Sequence, residues 1–501
     1  MNSLIKFLIN DDVYEFEKSR HLLNELDSSS MSSLPNIFDN HPNPIAYTAF
    51  YGATDCFLFL VKQGIKVQII DDESRSAIHF ACAGNYKMVR MLIEDFDQFN
   101  CIDSLGRTAL HYSVEYNQQK ISQLLVEDYK SKQMSLFEAN NFQASMLINT
   151  KDIFGVTPFH LSIEQENNEL VDYFIENGAN VNQSDNDGCV PIHIAAKVGS
   201  ILLISKLINN GAKLHKKSKN GRTIYHFAAF SSMPSIFKDL LSLCENHIGK
   251  YYNINTPDRF GRIPLHYACE QGSIPIVHEL LKLHSDVSRR DIDMMMPIHF
   301  AALNGNASII QLLINYGSPV YVKDENLRTP LHLACESGSY NAVRFLCKKY
   351  KKLIKEETKY GSSPLHSLAE NEVSSDNAQI AQFLISKGSD INKKNKFGQT
   401  PLHCATQNGL YNTIGILIDS GANLNIADNS LRNPLDIAFN LNNEEAKEIL
   451  IENGACFSPK RSAASSRLSS ASQSPCSSPK IVRKSVKVSI DQNDFKLESF
   501  E

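Results

Sequence analysis

Apolar positions recur along this chain in a two-helix pattern, clearest over residues 398–425, GQTPLHCATQNGLYNTIGILIDSGANLN. Leu402 and Ala405, then Ile414, Leu417 and Ile418, place apolar side chains on one face at helical spacing. Thr400 ahead of the first face predicts an N-cap, because its hydroxyl can accept an orphan backbone N–H. Pro401 at the first helical position has its φ already set and wastes no donor. Gly409 and Gly421 stand where two helices must stop in the left-handed region. The stretch predicts helix, tight turn, helix, and a turn leading out. One such pair cannot bury its apolar face alone; a stack of pairs can.

With Thr400 as a ruler, equivalent positions fall at Asn43, Ser76, Thr108, Thr157, Val190, Thr223, Ile263, Met296, Thr329, Ser363, Thr400 and Asn433. These are twelve units, and six of the eleven spacings are 33 residues. The residue after the marker is Pro in nine units, and the third residue after it is His in ten. The period of 33 with T-P-L-H-x-A closely resembles the ankyrin repeat family. The resemblance covers residues 39–457. It implies an all-α solenoid of stacked antiparallel helix pairs, about twelve of them, with β-hairpin fingers on one side. It also implies that the recurring His bonds backbone and the Thr hydroxyl, tying neighbouring loops together rather than forming a catalytic or metal site.

Residues 1–38 read as a helical capping segment, with one amphipathic helix expected from Leu4 to Leu26. Three spacings exceed the period by more than one residue. The surplus around residues 128–148 reads as an elongated second helix plus a loop, and smaller surpluses lie around residues 244–252 and 371–377. Asp436 stands in place of His in the last unit, as expected of a capping copy. After Phe457 the composition changes: residues 458–489 hold twelve serines and few large apolar residues, so residues 458–501 are expected to be a disordered tail. The tail has eight Lys or Arg against four Asp or Glu, a net of +4, which leaves −9 for the rest.

Composition narrows the function. A net charge of −5 argues against nucleic-acid binding. The apolar run of residues 4–9 meets Asp11 and Asp12 at once, too short for a signal-peptide core, and no apolar run reaches the length of a membrane span. The eleven cysteines form no CxxC pair. Cys82, Cys269 and Cys335 take the small position of the first helix, which suits a reducing, cytoplasmic setting, with the nucleus as a second location. The chain has no Gly-rich phosphate loop, His-Glu-x-x-His or nucleophile elbow, and no stretch outside the repeats is long enough for a catalytic domain. The expectation is a monomer without enzymatic activity, cofactor or metal.

Aspartates five residues before the marker and glycines two before it, such as Asp258 and Gly261, predict the finger turns. Within the ankyrin architecture the free positions are then Phe154, Arg222, Phe230, Arg259, Phe260, Arg262, Glu270, Leu303, Arg328, Tyr360 and Phe397. Aromatic and Arg side chains carry much of the energy of interfaces, so these are the expected partner-binding residues. Phe230 and Phe260 fall in consecutive layers and are expected on the same concave side. In the tail, Ser458, Ser474 and Ser478 precede Pro, and Ser462, Ser470 and Ser485 closely follow Lys or Arg. These suit proline-directed and basophilic kinases, and two or three phosphates would reverse the tail's sign. The function expected is a scaffold or adaptor that binds proteins through a concave surface, with an enzyme regulatory subunit as a subclass. The alternative is a membrane-cytoskeleton adaptor using the basic residues 480–487.

Overall fold

A computed structural model of the chain describes residues 3–19, 44–96, 101–134, 144–248, 253–370 and 377–458. The described residues form 27 α-helices and no strand. They divide into two units, residues 1–252 and 253–501.

In the first unit the first helices of successive layers pack on one another: Pro44–Tyr51, Ala77–Cys82, Ala109–Glu115, Pro158–Glu164, Pro191–Val198 and Ile224–Ala228. The second unit repeats the arrangement with Pro264–Gln271, Pro297–Leu303, Pro330–Glu336, Pro364–Ala369, Pro401–Gln407 and Pro434–Asn440. Each first helix also packs on the second helix of its own layer, and the second helices form a row of their own, such as Ile274–Lys282, Ala307–Asn315, Tyr340–Lys349, Asn377–Ser386, Tyr411–Asp419 and Glu444–Glu452. Leu402, Ala405, Ile414 and Leu417 are fully buried. Their burial depends on both neighbouring layers, so the stack is stable only as a row. Cys82, Cys269 and Cys335 are likewise buried, packing where other layers place Ala.

The amino-terminal segment differs from the single helix expected over Leu4 to Leu26. It is a helix pair, Ser3–Asn10 and Val13–Ser19, broken at Asp11 with φ 52°. The two helices pack on Pro44–Tyr51 and on Thr54–Lys62, the same way one layer packs on the next. The break also serves the following layer. The Asp11 carboxylate accepts from the Thr54 hydroxyl (3.1 Å) and from the N–H groups of Asp55 (2.9 Å) and Cys56 (3.0 Å). Those groups open the next second helix, where donors lack intrahelical partners.

The long spacing after Thr108 is taken up by a 16-residue second helix, Gln119–Met134, and a short helix, Ala144–Ile148. The surplus near residue 244 extends Ile236–Ile248 to 13 residues. Residues 371–376 lie outside the described residues. In the last layer Asn433 and Asp436 cap each other: the Asn433 N–H donates to Asp436 Oδ2 (3.1 Å) and the Asp436 N–H to Asn433 Oδ1 (2.9 Å).

Candidate functional site

Each finger is built by one side chain and its backbone. In the finger of Asp258, Oδ1 accepts from the Phe260 N–H (2.9 Å) and the Arg262 N–H (2.9 Å). The Asp258 N–H donates to the Arg262 carbonyl (2.9 Å) and the Gly261 N–H to the Asp258 carbonyl (3.1 Å). The result is a tight turn, not a ladder. Asn395 does the same work in its finger, accepting from Phe397 and Gln399 (both 3.0 Å).

Fingers of one unit are joined through the residue after the turn-former. Asn186 donates its N–H to the Phe154 carbonyl (2.9 Å), Ile292 to Phe260 (2.9 Å), Lys396 to Tyr360 (2.8 Å) and Asn429 to Phe397 (3.0 Å). Gly398 shows why the turn position favours glycine: φ is +75°, and a Cβ there would come within 2.7 Å of the Asn429 backbone nitrogen.

Seven of the recurring histidines, His111, His160, His193, His266, His332, His366 and His403, tie layers beneath the fingers. His403 Nε2 lies 3.1 Å from the Arg432 carbonyl, an acceptor, so this nitrogen carries the proton. Nδ1 is then the acceptor for the Thr400 N–H (3.1 Å), with the Thr400 hydroxyl 2.8 Å away. The Thr400 hydroxyl can donate to the imidazole and still face the His403 N–H, so Thr400 and His403 form a capping box at the helix start. His366 bridges to the Gln399 carbonyl (3.0 Å) and His160 to that of Gln183 (3.1 Å) in the same manner. Burial disfavours the imidazolium and lowers both to about 4, so the rings are neutral at physiological pH.

Two arginines expected to face a partner are instead tied into the fold. Arg328 Nε lies 2.8 Å from Asp324 Oδ2 and its Nη1 2.9 Å from Glu336 Oε2. Arg262 Nε reaches Asp291 Oδ2 of the next finger (3.1 Å), and its guanidinium stands 4.6 Å from the centre of the Phe300 ring. The physical reason is position: an Arg just before the marker lies against the carboxylate of its own or the next finger. Arg107 and Arg432 make the equivalent contacts to Asp103 and Asp428.

Phe154, Phe260, Tyr360 and Phe397 are exposed, and Tyr360 stacks on Phe397 with ring centres 6.0 Å apart. Arg259 is exposed beside Phe260. Arg222, Phe230, Glu270 and Leu303 are half-buried. Phe230 belongs to the first unit and Phe260 to the second.

Sequence reasoning missed three finger residues. Met294, Leu327 and Leu431 stand at the turn position that other fingers give to glycine, with φ of 60°, 57° and 60°. Their side chains are 46%, 43% and 51% exposed. A non-glycine residue in this region costs roughly 1–2 kcal/mol. The signal in the sequence was a large apolar residue two before the marker, at a place where the turn itself asks for glycine.

A family model described as ankyrin repeats in three copies matches residues 3–103, 45–136, 134–218, 192–291, 298–395 and 365–461. The chain belongs to the ankyrin repeat family. No curated protein matches it. The first match begins at residue 3, consistent with the helix pair that precedes the first full layer. Ankyrin repeats are protein–protein interaction modules, and this chain is built as one. Among the described residues no helix of this ankyrin protein is long and apolar enough to cross a membrane.

Of the six serines expected as kinase sites, Ser462, Ser470, Ser474, Ser478 and Ser485 lie outside the described residues. Ser458 is described and buried, which removes it from the accessible sites. The chain around it is held to the last layers: the Cys456 N–H donates to Asn425 Oδ1 (3.0 Å), and Phe457 packs edge-on against Phe439.

Proposed function

We propose that this ankyrin protein is a non-catalytic, monomeric scaffold that captures a protein partner along the finger tips of its second unit. The observation that carries the reading is the set of exposed apolar side chains at those tips. Phe260, Ile292, Tyr360 and Phe397 are joined there by Met294, Leu327 and Leu431, which sit in left-handed geometry. The last three expose apolar surface and strain the backbone, and neither serves the fold. Strain of this kind clusters at functional sites. The free fingers lie on a rigid row of helices, the arrangement that lets loops carry recognition. A regulatory subunit that positions an enzyme is the subclass this surface suits best. The buried thiols at alanine-like positions support a reducing compartment, and the cytoplasm is the reading we adopt.

The test is a glycine variant, Met294→Gly/Leu327→Gly/Leu431→Gly, in the full-length chain. Left-handed strain is relieved, so thermal stability should be unchanged or raised. Partners cross-linked to the wild-type chain in cells and identified by mass spectrometry should be lost from the variant. Equal recovery of the same partners from both chains overturns the finger-tip site.

A further inference from the structure

We propose that residues 491–501 of the tail dock in cis on a basic patch of the second unit, at Tyr340–Lys349 and the 3-10 helix Lys351–Lys355. This inference uses other residues than the finger tips and stands apart from that reading.

The patch is a concentration of unpaired positive charge on an acidic repeat domain. Arg344, Lys348, Lys351, Lys352 and Lys355 are exposed and make no ion pair among the described residues. The nearby carboxylates are engaged elsewhere: Glu356 pairs with Lys323 (2.7 Å) and Glu357 with Lys393 (2.6 Å). Five like charges kept close cost self-repulsion, which an acidic occupant would relieve. Beside them lies an open hollow of about 570 Å³ between residues 304–308 and the Tyr340–Lys349 helix. Phe345 lines it, with Arg344 and Lys348 also on its wall. Its wall is mostly polar, with Asn304, Asn306, Ser308 and Asn341, and sets the one Phe345 ring beside two cations.

The tail contains a segment of the complementary kind. Asp491, Asp494, Glu498 and Glu501 stand against the single Lys496 over residues 491–501, although the tail as a whole is basic. Phe495 and Phe500 are interleaved with those acids. An aromatic side chain in the hollow with carboxylates on the surrounding lysines uses both features. An aromatic anchor flanked by ionic contacts is a common division of labour at interfaces.

The tether reaches. Second helices Tyr340–Lys349, Asn377–Ser386, Tyr411–Asp419 and Glu444–Glu452 pack in succession. Three steps of about 8–10 Å each place the patch roughly 24–30 Å from the last helix. Random-coil dimensions for the number of residues between Ser458 and Asp491 are about 29–34 Å, so the length suffices. Effective concentration is greatest when span and distance match, and is of millimolar order for short flexible linkers. Exposed ion pairs are individually weak, but a tethered site needs only comparable weak affinity to be substantially filled.

The experiment is zero-length carbodiimide cross-linking of the full-length chain at low salt, on a mixture of isotopically light and heavy protein. Wild type should give links within one chain from Asp491, Asp494, Glu498 or Glu501 to Lys348, Lys351, Lys352 or Lys355. Lys351→Glu/Lys352→Glu/Lys355→Glu changes only exposed side chains; it should reduce linkage to Lys348 about tenfold while leaving circular dichroism unchanged. Adding Asp491→Lys/Asp494→Lys/Glu498→Lys should restore intrachain links, now from tail lysines to the new glutamates. Phe495→Ala/Phe500→Ala should raise hydrogen exchange at residues 304–308. Links only between light and heavy chains, links to Lys348 unaffected by the charge reversal, or no links at all overturn docking in cis.

Discussion

The layer-tying histidines make the stability of this protein depend on mild acid. In an unfolded chain a histidine has a pKa near 6.5. In the folded chain burial lowers His366 to about 4. Between these values the unfolded state binds a proton that the folded state refuses. Stability is therefore full above about pH 6.5, falls as the pH drops towards 4, and levels off below. The slope is about 1.4 kcal/mol per pH unit for each histidine, so one layer loses roughly 2 kcal/mol at pH 5. His79, His111, His160, His193 and His299 are also lowered to about 4. A carboxylate whose pKa is raised by burial acts in the opposite direction. Burial raises Asp185 to about 6, so its folded form takes up a proton first and gains stability as pH falls. The layer tied by His160, whose Nε2 meets Gln183 beside that finger, should therefore lose less than the layer tied by His366. The assay is hydrogen exchange with peptide-level mass spectrometry at pH 7.5 and 5.0, corrected for intrinsic rates. His366→Gln should lower protection around residues 364–399 at pH 7.5 and flatten its pH dependence there. Equal protection at the two pH values in the wild-type chain, or a pH dependence around residue 366 that survives His366→Gln, refutes the reasoning.

Two glycines should differ although both have positive φ. Gly421→Ala meets nothing within 4 Å and should cost only the backbone term, roughly 1–2 kcal/mol, whereas Gly398→Ala also presses on the next finger and should cost visibly more in urea unfolding. Arg328→Ala should destabilise its layer by about 1–3 kcal/mol, discounted for the part-exposed guanidinium, because Glu336 loses its partner; an unchanged melting temperature would contradict the assigned tie. Asp11→Ala removes three hydrogen bonds to the second helix of the next layer and should cost about 1–2 kcal/mol, read as faster exchange in residues 3–19 and 54–62. Unchanged exchange in both segments would remove the capping role.

The fold was legible because its signals are local. Thr400, Pro401, Gly409 and Gly421 each answer to the chain within a few residues, and repetition every 33 residues multiplies a weak signal. What escaped depends on the neighbouring layer or on an unusual residue for a turn. Asp11 breaks the first helix with a positive φ that a glycine would have announced. Arg262 and Arg328 look like free cations until the adjoining carboxylates are in place. Ser458 reads as the first residue of a tail, but the preceding Phe457 finds Phe439 in the last layer.

The same contrast separates what the fingers need from what they display. A finger needs its turn-forming oxygen, a residue able to take positive φ, and a carbonyl for the next finger. Ser74 meets the second need with a small polar side chain at φ 60°, so an L-residue in this place does not have to be large or apolar. Met294, Leu327 and Leu431 meet it at the same backbone cost and add exposed hydrocarbon. Folding gains nothing from that surface, because the layers close through Leu, Ile and Ala side chains elsewhere. A partner that covers the fingers would gain it, at about 25 cal/mol for each square ångström removed from water. Glycine at all three places keeps the turns and removes the surface, which makes the variant a test of recognition separate from folding.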